Sequence, residues 1–155
     1  VPIAVKLAPD VAVEDLPAIC ERLVAQKVDA IAISNTTLSR PAGLDARLAS
    51  ESGGLSGRPL FHRSTVMLAK VHLLTGGEIP LIGIGGIDSG EAALAKIRAG
   101  ASVIQLYTAL IFEGLGLLDR IKETLLEAIA DAGVENISEL VGRDAEAWAA
   151  KPIEP

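Results

Sequence analysis

Apolar residues along this chain fall into two patterns. Short, nearly unbroken runs occur at residues 3–8 (interrupted only by Lys6), 30–34 (AIAIS), 81–84 (LIGI) and 102–106 (SVIQL). Between the runs, apolar positions recur every third or fourth residue, as at Leu16, Ile19, Cys20, Leu23 and Val24. The first pattern is that of a buried strand and the second that of a helix packed along one face. Acidic Glu14 and Asp15 stand where the first helix would start, a favourable place for negative charge. Further helices are predicted over 63–74, ended by Gly76 and Gly77, and over 117–132, with Leu118, Ile121, Leu125, Ala128 and Ile129 on one face. Asp88, with Glu91 three residues on, reads as a capping box for a helix running to Ala99, and Asn136 as the cap of a short terminal helix containing Leu140.

The predicted order is therefore βαβαβαβα. Strands that are apolar throughout are buried on both faces, which implies a parallel sheet covered by helices. Four such units make half of an eight-stranded β/α barrel. One connection breaks the rhythm. Residues 35–60 carry Pro41, Gly43, Gly53, Gly54, Gly57 and Pro59, and a loop this long inside a compact unit is functional or disordered.

Composition narrows the function classes. The 155 residues fit one domain, and with aromatics at 3% the core has to be built from Val, Ile, Leu and Ala. A net charge of −6 and the lack of a basic run argue against nucleic acid. No apolar stretch approaches the ~18 residues of a membrane span, and the opening VPIAVK reads as a strand, not a signal peptide. The single cysteine, Cys20, excludes an intramolecular disulfide and fits a reducing compartment. His62 and His72 are isolated, so no metal centre is expected. Cys20 reads as a core thiol, and His62 and His72 as surface or helix-flank residues. Arg40 and Arg58 either close the long loop on Asp45 or Glu51 or are solvated. Asp10 and Asp88 read as turn or cap residues.

In a β/α barrel the chemistry gathers at the carboxyl ends of the strands. Those ends carry Lys6, then Ser34-Asn35-Thr36, then Gly85-Gly86, then Tyr107-Thr108, with Leu55-Ser56-Gly57 added by the long loop. Lys6 is either a lysine that reaches for solvent at the rim or a fixed cation facing a group that becomes negative. Gly85-Gly86 is either a tight turn or a backbone cradle for phosphate, in which Gly86 lacks a Cβ so that a phosphate oxygen can reach its N–H.

The segments KLAPD, SNTTLSRPAGL, SGGLSGRPL, IGIGGIDSGEAALAKIRAGAS and IQLYTAL, in order and in compatible register from Val1 to about Val141, resemble the C-terminal half of dihydroorotate dehydrogenase. SNTTLSRPAGL followed by GGLSGRPL resembles the quinone-linked, membrane-associated class, and disfavours a different FMN-dependent barrel. The resemblance implies the α/β fold of a (β/α)8 TIM barrel, with residues 1–155 forming about the last four β/α units of an FMN-binding domain. It implies FMN as cofactor, dihydroorotate and orotate as ligands, quinone as electron acceptor, and a place in pyrimidine biosynthesis.

By the same resemblance, Lys6 matches the lysine beside the flavin ring, where its charge favours the reduced, anionic ring. Ser34 matches a cofactor contact, and Asn35 and Thr36 match residues that hydrogen-bond orotate. Gly57, Gly86, Tyr107 and Thr108 match groups around the FMN phosphate and ribityl chain. The family's first four strands, its upstream asparagines, the loop with its serine base and the helical element that meets membrane and quinone have no counterpart here. The chain is therefore expected to be a fragment, lacking the general base and inactive alone. It would need its missing half or self-association. The full-length enzyme would sit peripherally on the cytoplasmic side of a membrane, this chain alone being soluble. The alternative is a non-catalytic half barrel that binds phosphate or flavin, or a structural fragment.

Overall fold

A computed structural model describes residues 1–41 and 43–154, apart from the side chain of Leu48. Ala42, inside SNTTLSRPAGL, and Pro155 lie outside the described residues. Four strands, β1 (Ala4–Leu7), β2 (Ala30–Ile33), β3 (Leu81–Ile84) and β4 (Val103–Gln105), form one parallel sheet in sequential order. Sequential order decides the architecture. A doubly wound sheet reverses direction at a switch point; here each right-handed crossover steps the same way, so the helices gather on one face and the sheet curves into an arc of a barrel.

The helices are α1 (Leu16–Ala25), α2 (Ala46–Ser50), α3 (Phe61–Leu74), α4 (Gly90–Arg98), α5 (Thr108–Glu113), α6 (Gly116–Asp131) and α7 (Ala145–Ala149). The helix-facing side of the sheet is dry. Leu7, Ile31, Ile33 and Leu81 pack with Leu16 and Cys20 of α1 and with Met67, Leu68 and Val71 of α3. Each such large aliphatic side chain contributes about 1.5–3 kcal/mol on burial. Burial also raises the Cys20 thiol pKa, as a core thiol requires.

The other face departs from the expectation of strands buried on both sides. Ala4 and Lys6 of β1 are exposed, as are Val103 and Gln105 of β4. Lys6, Ala32, Ile82 and Val103 share one register row, so this is the inward face of the arc, and it is open. The apolar runs remain correct as a reading of the barrel, whose far wall this chain does not supply.

One local expectation is corrected. Ser89, not Asp88, caps α4: its side chain accepts from the Ala92 N–H. Asp88 instead accepts from Arg58 Nε at 2.5 Å. Asp10 lies in the turn after β1, as expected, and accepts from Thr37 Oγ1 at 2.5 Å and from the Leu38 N–H at 2.9 Å, tying the first strand–helix loop to the second. The capping box at Asn136 is present, with Glu139 as its reciprocal partner.

Candidate active site

Register places the polar groups. Lys6 is the penultimate residue of β1, and its neighbours in the row, Ala32 and Ile82, leave it the one charge there. After β2 the chain passes through a cis Ile33–Ser34 peptide. The Ser34 N–H donates to the Ile84 carbonyl at 3.3 Å and the Asn35 N–H to the Leu7 carbonyl at 3.0 Å, so this corner is stitched to both adjacent strands. Ser34 is buried, its hydroxyl donating to the Asn35 carbonyl at 2.8 Å. The Asn35 side-chain oxygen accepts from the Thr36 N–H at 3.0 Å, which turns its amide group toward solvent as a donor.

The described residues of the long loop are tied down. Thr37 and Leu55 exchange two backbone hydrogen bonds, at 3.1 and 2.7 Å, and close it at its base. Arg40 donates to the carbonyls of Glu51 and Gly53, both at 2.8 Å, so it does close the loop, through the backbone. Arg58 pairs with Asp88, not with the loop's carboxylates. The short helix α2 lies within this loop and carries no sequence signal long enough to read.

Past the loop, three backbone segments converge. Gly57 (φ 78°) lies against Thr108, whose Cγ2 would be 3.3 Å from a Cβ there. The Thr108 hydroxyl donates to Ser56 Oγ at 3.1 Å. Gly86 (φ 71°) stands at the mouth of β3 between them. Packing alone already gives a reason for its missing side chain. A Cβ on Gly86 would lie 2.4 Å from Phe61 Cβ and 2.6 Å from Phe61 Cα, so the first turn of α3 already demands glycine, before any ligand.

All eight residues singled out from the sequence, Lys6, Ser34, Asn35, Thr36, Gly57, Gly86, Tyr107 and Thr108, line one cavity of about 1000 Å³. That volume is at the upper end for small-molecule and cofactor sites. Of the three carboxylates in its lining, Asp88 is engaged by Arg58 and Glu113 by Arg120 at 3.0 Å, and the third, Glu51, comes from the long loop. Among the described residues no cluster of His, Cys, Asp and Glu could hold a metal ion, and no helix is long and apolar enough to cross a membrane.

Sequence reading missed Lys96. It lies on α4 and is fully buried, with Nζ 2.6 Å from Ser64 Oγ, 3.5 Å from the Ile84 carbonyl and 5.2 Å from the Phe61 ring centre. Desolvation pushes its amine well below the usual lysine range. Its signal was available: Lys96 shares a helix face with Ala93, Ile97 and Gly100, where a solvated lysine does not belong. Both histidines flank α3, His62 in its first turn and His72 in its last, and both are half-buried. His72 is half-buried against Gly100 and Gly142, and His62 lies against Trp148 of α7 with Nε2 2.8 Å from the Pro152 carbonyl.

Four singly wound β/α units with a cleft across their carboxyl ends define one half of a TIM-barrel enzyme. Residues 1–129 match the family model described as dihydroorotate dehydrogenase. The proteins named dihydroorotate dehydrogenase (quinone) from Brucella ovis and Brucella melitensis biotype 2 are 51% and 50% identical over 152 residues. This alignment takes in 98% of this chain and 42% of theirs. The crystal structure of DHODH from Eimeria tenella in complex with ferulenol superposes with a TM-score of 0.87 at 36% identity, over 92% of this chain and 38% of that one. The ligand-free enzyme from the same organism gives 0.86 at 37% identity, over 91% and 39%. The chain belongs to the dihydroorotate dehydrogenase family, and it spans less than half the length of these quinone-dependent relatives.

Proposed function

We propose that this chain is the C-terminal half of the FMN-binding barrel of a quinone-dependent dihydroorotate dehydrogenase. The observation that carries the reading is the convergence of Lys6, the Ser34-Asn35-Thr36 corner, Gly57, Gly86 and Tyr107-Thr108 on a single cleft. The donor set fits the cofactor. The Gly86 N–H takes no hydrogen-bond partner among the described residues, and the Ser56 and Thr108 hydroxyls stand beside it, a set suited to a phosphate. Lys6 supplies the one cation of the inward row. FMN, when bound, supplies the electron acceptor for oxidation of dihydroorotate and passes the electrons on to a quinone.

The chain's own residues have separable tasks. Gly57, Gly86, Tyr107 and Thr108 hold the phosphate and ribityl end. Lys6 lies at the ring end and favours negative charge there, in a cleft where water is excluded once the barrel is complete. Ser34 contacts the ring from its buried corner. Asn35 and Thr36 present side-chain donors to the substrate carboxylate and carbonyls. Membrane attachment and the quinone site belong to segments of the relatives that this chain does not match.

A visible spectrum tests the reading. Purified protein with added FMN, freed of excess ligand, should retain flavin absorbance near ~450 nm when supplied with the complementary half. Failure of the reassembled protein to retain flavin would refute the assignment. Flavin retention without any dihydroorotate-dependent bleaching would favour a non-catalytic flavin-binding barrel.

A further inference from the structure

Behind the β3–α4 turn lies a polar cluster that the cavity itself does not use. Lys96 is fully buried and, among the described residues, has no carboxylate partner. Ser64 of α3 is equally buried. Lys96 Nζ donates to Ser64 Oγ at 2.6 Å. The single Ser64 hydroxyl proton lies within reach of the Leu60, Phe61 and Gly85 carbonyls at 2.8, 3.2 and 3.3 Å. Lys96 Nζ also approaches the Ile84 carbonyl at 3.5 Å, and its stem packs against β3, with Cβ 3.4 Å from where a Gly83 side chain would begin.

Burying a lysine amine without a carboxylate partner is unfavourable. A methionine or leucine would fill the same space without that cost, so packing alone does not account for the amine. What the amine and the hydroxyl do together is face two consecutive carbonyls, those of Ile84 and Gly85. In a trans peptide the C=O and the following N–H point in opposite directions. The Gly85 carbonyl is turned to Ser64, on the core side. The Gly86 N–H of the same peptide is therefore turned away from the core, toward the cleft.

We propose that Lys96 and Ser64 are positioning residues for this site, holding the Gly85–Gly86 peptide from behind so that the Gly86 N–H is presented to the phosphate of the cofactor. The role rests on the flavin reading above. Neither residue touches the cofactor. Both glycines have positive φ, 104° and 71°, and the turn has no side chain of its own to hold the peptide's orientation. Without the pair the peptide is free to rotate, and the phosphate loses an aligned donor.

The test compares FMN with riboflavin, which has the same ring and ribityl chain but no phosphate. It is run on the complete barrel, this chain with its complementary half, stripped of flavin. Lys96→Met keeps the stem and removes the amine; Ser64→Ala removes only the hydroxyl. A charge-assisted amide contact to phosphate corresponds to about tenfold or more in affinity. Each variant should therefore lose about that factor for FMN while its riboflavin affinity stays at the wild-type value. Equal losses for both ligands, or undiminished FMN affinity in a folded variant, would overturn the positioning role. Should Lys96→Met not fold, Ser64→Ala decides by the same criterion. A wild-type protein with no preference for FMN over riboflavin would instead refute the phosphate cradle itself, a result distinct from variants that keep the preference.

Discussion

Lys6 carries the sharpest residue-level consequence. It is exposed because the inward face is open, and it lines the cleft from the one charged position of its register row. If it stabilises negative charge at the ring end, Lys6→Ala in the complete enzyme should slow the half-reaction with dihydroorotate by about a hundredfold or more and leave much of the FMN bound. An unchanged rate in stopped flow would make Lys6 a rim lysine. Gly86 leads to the opposite expectation. Its absent Cβ is required by Phe61 at 2.4 Å, so Gly86→Val should fail in folding, visible in circular dichroism, before flavin affinity can be measured; a well-folded variant would contradict the packing argument. These residues were legible because strand ends are legible: a charge inside an apolar run and a glycine pair at its end both stand out. Lys96 was not, since a lysine in AALAKIRAG looks like any solvated helix lysine until the helix face is drawn. Asp88 and Ser89 were exchanged for a similar reason. Both are good caps, and only the pull of Arg58 on Asp88 separates them.

At the scale of elements, the strands and the long helices α1, α3, α4 and α6 follow from periodicity, because each buries one face for several turns. Three short helices do not. Five or six residues are too few to show a period, and short helices are held by packing rather than by propensity. In α5, Ile111 and Phe112 are both exposed, so no apolar stripe exists to be read. α7 is held by packing: Trp148 meets Phe61 edge-on at 6.0 Å and Lys70 Nζ donates to the Ala149 carbonyl at 2.7 Å. Arg63 of α3 extends this anchoring by pairing with Glu154, whose carboxylate also accepts from Ser39 at 3.1 Å. The C-terminal tail thus secures the start of the long loop. The junction of α3 with the α4–β4 turn also carries a pH dependence. Desolvation lowers the His72 pKa from its ordinary value. With the folded pKa below the unfolded one, the unfolded chain binds the proton more readily, so the contribution is complete above the unfolded pKa of about 6.5 and is lost as pH falls below it. The thermal midpoint should drop between about pH 7.5 and 5, and His72→Phe, which keeps a ring between Gly100 and Gly142, should flatten that part of the profile. An identical slope in the variant would assign the acid sensitivity elsewhere.

For the molecule as a whole, the open inward face and the two edge strands set the behaviour. β1 and β4 each present an unpaired edge, and beyond β4 the rim carries Tyr107, Phe112 and Leu115, each at least three-quarters exposed. A surface of this kind calls for the rest of a barrel, which agrees with a chain spanning 42% of its relatives' length. Catalysis leads to the same conclusion independently. Oxidation of dihydroorotate needs a base within about 3 Å of the proton removed, directly or through one water. Among the side chains lining the cleft, Asn35, Thr36 and Ser56 are not bases at neutral pH. Asp88 and Glu113 are held by Arg58 and Arg120; Glu51 also lines the cleft, from the long loop whose backbone Arg40 ties down. His62 and His72 are turned to the helical side, against Trp148 and against Gly100. The 155-residue chain with added FMN should therefore show no dihydroorotate-dependent dye reduction, and mixing it with a separately produced complementary half should restore turnover. Substantial turnover by the chain alone would mean that a base operates from within these residues, and the loop carrying Glu51 would be the first place to look for it.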